Sequence, residues 1–172
     1  MKNTFALSFA ALSFLAASNA LAADGTINFT GEIIESGCSV TTSNVSVDFG
    51  TVAASTFKNA GDTASPKAFQ INLTGCPAAV TAAGASVRFD ATPDSSNSDL
   101  FSIGASSTAA GVGISVVDAK AKVVAPNSDS SIYALTETGT NVLDFAAKLQ
   151  STSSTVTAGT ISTTANFTII YQ

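Results

Sequence analysis

The stretch from Gly159 to Gln172 constrains this chain more than any other. A glycine opens it, a run alternating between apolar and polar residues follows, and a tyrosine stands next to last. Ile161, Ala165, Phe167, Ile169 and Tyr171 share one parity, which is the period of a strand with one buried face. The run reaches the final residue with neither charge nor proline to blunt it. A strand of that kind is prone to pair with a further strand unless some partner covers it. The same residues would also serve as an ordinary core face of a closed sandwich.

Period-two alternation recurs through most of the chain. Ile27, Phe29, Gly31 and Ile33 share one parity; Val45, Val47 and Phe49 follow, and Phe69, Ile71 and Leu73 run into Gly75-Cys76-Pro77. Val87 and Phe89, then Val112, Ile114 and Val116, then Leu143, Phe145, Ala147 and Leu149 continue the pattern. Polar, turn-forming segments separate these runs at 58–65, 92–98, 106–111, 127–131 and 151–157. Many short strands with turn signals between them indicate an all-β, immunoglobulin-like sandwich of six core strands, plus the segment before Cys38. Residues 78–85 could carry a helical turn, bracketed tightly by Pro77 and Gly84.

Residues 1–22 read as a signal peptide. Lys2 supplies the positive start, Phe5 to Ala17 the apolar stretch, and Ala20-Leu21-Ala22 a small-x-small cleavage site before Ala23. The apolar stretch is short for a membrane span and is interrupted by polar residues, so the mature chain is expected to be exported without membrane insertion. In an exported chain, two cysteines, Cys38 and Cys76, read as one disulfide, for which loop-closure models give roughly 4 kcal/mol.

Composition removes other functions. The sequence holds no histidine and no tryptophan, and its net charge is −5 without any basic cluster. A histidine-based catalytic triad, a zinc site and nucleic-acid binding therefore lack their usual side chains, and no enzyme activity, cofactor or metal is expected. Gly111-Val-Gly113 lacks the rest of a phosphate loop and reads as strand and turn glycines. Asp94 and Asp99 sit in a serine-rich stretch and read as solvated turn residues, with a calcium site the less favoured alternative.

The segment Gly25–Ile33 is the odd member. It is written as a good strand directly after the expected cleavage site, where chain ends are usually poorly ordered unless tied down. An N-terminal strand without an internal role and a closing strand without a cover suggest strand addition between molecules.

Taken in order, these elements resemble the chaperone–usher fimbrial (pilus) subunits, close to the type 1 major subunits. The resemblance rests on the signal peptide, Gly25-Thr-Ile-Asn-Phe-Thr-Gly-Glu-Ile33, Cys38, Gln70-Ile-Asn-Leu-Thr-Gly-Cys76, Gly159 and the ending Ile170-Tyr171-Gln172. It implies a sandwich lacking its seventh strand, with a donor extension over residues 23–33 and a pilin domain over 34–172. Ile27, Phe29, Gly31 and Ile33 match the donor positions, Gly31 at a pocket that admits no bulk; the alternative for Gly31 is a bulge or weak point in a strand. Gly159, Ala165, Phe167, Ile169, Tyr171 and Gln172 match the strand that pairs first with a periplasmic chaperone and then with the next subunit. An outer-membrane usher would catalyse that exchange, placing the product in an extracellular fimbria of a Gram-negative bacterium that supports adhesion. The lead of Ala23-Asp24 before Gly25 is shorter than in many rod subunits of this kind. A minor, adaptor subunit of the same pathway and a secreted carbohydrate-binding module are the other readings.

Overall fold

The computed structural model describes residues 27–31, 33 and 37–172. The expected signal peptide lies outside them, as do Gly25, Glu32 and the lead before Gly25. Contacts divide the chain into two units, Met1–Ile33 and Ile34–Gln172.

Among the described residues of the second unit six strands form: β1 Ser39–Val40, β2 Lys67–Thr74, β3 Ala85–Asp90, β4 Val112–Asp118, β5 Thr140–Ser151 and β6 Asn166–Tyr171. One helical turn, Ala78–Thr81, sits where Pro77 supplies the extended N-cap and Gly84, at φ +84°, turns the chain into β3. One sheet has the order β1-β2-β5-β4 and the other pairs β3 with β6, all antiparallel.

Alternation produces the core directly. In β5, Leu143, Phe145, Ala147 and Leu149 are buried while their neighbours face outward; Ile71 and Leu73 of β2 do the same. Phe69 and Phe145 stand opposite one another across the β2–β5 ladder with rings stacked at 5.5 Å. Phe89 reaches across from the other sheet and meets the Phe145 ring edge-on at 5.1 Å, the offset that aromatic quadrupoles favour. These rings join the two sheets. The disulfide between Cys38 and Cys76 ties the start of β1 to the turn after β2, as expected for an exported chain.

The outer edges of β4 and β3 are both covered. Phe101 exchanges two backbone hydrogen bonds with Ile114 of β4, at 2.8 and 2.9 Å, and Val124 N–H donates to Val116 O. Along β3, Tyr133 pairs with Ala85, Ser130 N–H donates to Val87 O and Asn127 N–H to Phe89 O. The 127–131 segment, expected as a plain turn, thus also acts as an edge cover. Gly113 lies in β4 against Leu100 and Gly111 in the preceding turn at φ +79°, where an added Cβ would meet Thr155 O. Asp94 accepts from the N–H groups of Ser96 and Asn97, closing a turn as its setting suggested.

Two expectations need correction. Residues 45–49 do not form a paired strand: after Thr41 N–H donates to Asn72 O, the chain runs on to residue 53 without joining either sheet. The closing strand is assigned only from Asn166, so Ile161 and Ala165 precede it. The reason is common to both. Each of these segments has the side-chain pattern of a strand but meets no backbone partner among the described residues.

Candidate functional site

The two unpaired segments face each other across an apolar groove. Residues 43–49 form one rim, and residues 161–165 with the paired start of β6 form the other; between them lies a hollow of about 840 Å³. Its floor is made by Phe69, Ile71, Phe89, Ile114, Val116 and Ala147, which are side chains of the sandwich core. A second hollow of about 530 Å³ continues it past Phe57 and Leu149. Val47, Phe49 and Ile161 line both, so the two hollows adjoin.

The rims carry the functional meaning. β6 is hydrogen-bonded to β3 along one edge, from Ala85↔Tyr171 to Asp90↔Asn166, and its other edge is open among the described residues. An open strand edge above an apolar floor offers backbone N–H and C=O groups in ladder spacing together with pockets for alternate side chains. The larger hollow is lined without any ionised side chain. An extended apolar segment therefore fits it, and a charged ligand finds no counter-ion there.

The anticipated acceptor residues fall as follows. Ala165 and Phe167 line the groove; Phe167, Ile169 and Tyr171 pack on the core from one face of β6. Gly159 lines the second hollow and touches the backbone of Thr108 and Ala109 so closely that a Cβ would run into it. Gln172 closes the strand: its N–H donates to Gly84 O and its Nε2 to Ser86 Oγ, both at 3.2 Å. Tyr171 caps the far end, its phenol oxygen accepting the Cys38 N–H at 2.7 Å. The structure thus brings Ala165, Phe167, Ile169, Tyr171 and Gln172 onto one edge and sets Gly159 apart in the adjoining hollow.

Residues 27–31 are not paired in a sheet. Ile27, Phe29 and Ile33 are 78%, 91% and 100% exposed, unusual for large apolar side chains. Gly31 has nothing within 4 Å of where a Cβ would stand.

Sequence reasoning missed the second rim. Val47 and Phe49 read as an ordinary core strand, whereas they are half-buried walls of the groove. Gly37 was missed as well: an added Cβ would lie 2.5 Å from the Tyr171 ring. The distance in sequence between these two left no local signal.

The ionisable groups with shifted pKa values lie outside the lining of both hollows. Burial pushes the Tyr133 phenol up; it donates to Asp144 O at 2.6 Å and accepts the Ala119 N–H. Asp129 raises the Arg88 guanidinium through their 2.7 Å ion pair. Backbone N–H groups of Asn59 and Lys58 lower the Asp62 carboxyl.

A two-sheet immunoglobulin-like sandwich with one strand position open defines the class of chaperone–usher pilins. The match to the "Fimbrial protein" family model over residues 27–172 places the chain in that family. It is 39% identical, over 168 residues and 91% of each chain, to the "Type-1 fimbrial protein subunit" of Serratia marcescens. Two solved structures share the fold at 26% identity. The P pilus rod subunit PapA has a TM-score of 0.66, with 80% of this chain and all of that chain covered. A subunit from a chaperone–usher pilus structure has a TM-score of 0.67, with 87% and 96% covered. The chain is a structural subunit of such a pilus, and the family is not one of enzymes. Among the described residues no helix is long and apolar enough to cross a membrane.

Proposed function

We propose that this subunit polymerises by donor-strand exchange: the groove between residues 43–49 and 161–167 receives residues 23–33 of another subunit. The single observation that carries this reading is the open strand position, an apolar floor between residues 43–49, which join no sheet, and the edge of β6 that faces away from β3. Ile27, Phe29 and Ile33 supply apolar side chains of one parity, and Gly31 shares that parity at the position where the proposed pocket admits no bulk. The uncovered floor also needs a temporary strand before assembly. A periplasmic chaperone fills that role along β6, and an outer-membrane usher exchanges it for the next subunit, building an extracellular fimbria that supports adhesion.

Energetics favour a joint contribution. Burying Ile27, Phe29 and Ile33 gives roughly 1.5–3 kcal/mol each, while ordering each backbone residue costs roughly 1–2 kcal/mol. Side chains alone do not offset ordering. A backbone ladder along the groove adds about 1 kcal/mol net per bond, and residues 45–49 and the edge of β6 away from β3 have backbone groups free to take part in it among the described residues.

A sugar-stacking role is poorly supported by the two tyrosines, because Tyr133 is held by Asp144 O and Tyr171 by Cys38 N–H. Deleting residues 23–33 tests the proposal. Fibres should disappear while the shortened subunit still captures a synthetic peptide of residues 23–33; fibres of normal length from the deletion would defeat it.

A further inference from the structure

The disulfide is asymmetric. Cys76 is 3% exposed, whereas Cys38 is only partly buried. Asn141, itself buried, lies against the inner sulfur: its Nδ2 donates to Cys76 Sγ at 3.3 Å and to Thr136 O at 2.9 Å. The amide orientation is fixed independently, because Asn141 Oδ1 accepts the Thr136 N–H at 2.7 Å and a backbone N–H can only donate. Both amide hydrogens are thus used, one of them on the sulfur.

We infer that thiol–disulfide exchange enters this bond at Cys38, with Cys76 as the leaving thiolate. Exchange requires a thiolate to approach one sulfur along the S–S axis from the side opposite the other sulfur. Of the two residues, Cys38 is the one exposed to solvent by more than a few per cent, and attack is therefore assigned to it. Attack there forms a bond from the incoming sulfur to Cys38 Sγ and breaks Cys38–Cys76, and the electron pair stays on Cys76 Sγ. Burial alone disfavours a thiolate at Cys76. The Asn141 N–H offsets this by donating to the charged sulfur. Microscopic reversal gives the oxidative route. The Cys38 thiolate first attacks an incoming disulfide and releases one thiolate, and Cys76 then attacks Cys38 Sγ and releases the second. The partner class is a thiol–disulfide exchange reagent, either a small thiol or the active-site cysteine of a dithiol oxidoreductase, and its contact face is the Cys38 side.

Glutathione is the probe. Oxidised protein is treated briefly with limiting reduced glutathione, quenched in acid, alkylated and mapped by mass spectrometry. Glutathione should sit on Cys38 and the alkyl group on Cys76, about tenfold or more in excess of the reverse. An even or reversed partition overturns the inference, and this measurement requires no variant to fold. Asn141→Leu separates chemistry from packing. Loss of the N–H donor should slow exchange several-fold, whereas a purely structural Asn141 would loosen the site and speed it. Faster exchange would remove Asn141 and the stabilised leaving group from the scheme.

Discussion

The phenol oxygen of Tyr171 accepts the backbone N–H of Cys38 at 2.7 Å, although 133 positions separate the two residues. The contact joins the end of β6 to the disulfide and brings the tyrosine ring onto Gly37. The end of the strand that borders the groove is therefore anchored at the covalent link between β1 and the turn after β2.

That anchor is testable by paired substitutions. Gly37→Ala places a methyl group 2.5–2.8 Å from the Tyr171 ring and hydroxyl, so the ring must shift away from its bond to the Cys38 N–H. We expect a loss of about 1–3 kcal/mol in denaturant unfolding, the usual range for overpacking. Tyr171→Phe keeps the ring and removes the acceptor, and should cost about 1 kcal/mol. If Gly37→Ala unfolds at the wild-type midpoint, the close approach does not exist in solution.

Asp118 makes a second prediction, for acid. Its side chain is 5% exposed, and it accepts N–H groups from Lys120, Lys122 and Ser131, tying the turn after β4 to the segment covering β3. Burial pushes the carboxyl up, and the hydrogen bonds from Ser131, Lys122 and Lys120 outweigh it, so the folded pKa lies below the ordinary 3.8. Between the two values the unfolded chain binds the extra proton, so stability rises with pH there. The contribution is complete above 3.8 and is lost as pH falls through the folded value. Unfolding curves of wild type and Asp118→Asn should differ at neutral pH and converge in acid. A constant gap across that range would refute the assignment.

How much of this was legible in the sequence depends on what alternation reports. It identifies a face, which is why Ile71, Leu73 and the β5 series Leu143 to Leu149 were read correctly as core. It does not identify a backbone partner, so Val45, Val47 and Phe49 read as a paired strand although they meet none among the described residues. For the closing run, the apolar face was legible and the start at Asn166 was not, because residues 161–165 keep the pattern without the ladder. Gly37 was invisible for a different reason: its constraint is steric and comes from Tyr171, at the other end of the domain.

An added strand should stabilise the subunit measurably. A peptide of residues 23–33 that binds the folded groove alone shifts unfolding by about 2.7 kcal/mol at a hundredfold excess over its Kd. A scrambled peptide of identical composition loses the parity of Ile27, Phe29 and Ile33 and should shift it far less. Calorimetric scans of the subunit lacking residues 23–33 provide the measurement, and equal shifts from both peptides would mean that side-chain parity plays no part.

Two glycines separate fold from assembly. At Gly159 an added Cβ runs into Ala109 N and the Thr108 carbonyl carbon, so Gly159→Ala should destabilise the folded subunit itself by about 1–3 kcal/mol. At Gly31 a Cβ meets nothing within 4 Å, so Gly31→Leu should leave unfolding within about 0.5 kcal/mol of wild type. In the proposed joint between subunits, Gly31 takes a position that admits no bulk. Fibre yield should therefore collapse in Gly31→Leu although the free subunit is as stable as wild type. Normal fibres from Gly31→Leu would show that the position tolerates bulk, and Gly31 would lose its place in the proposed joint.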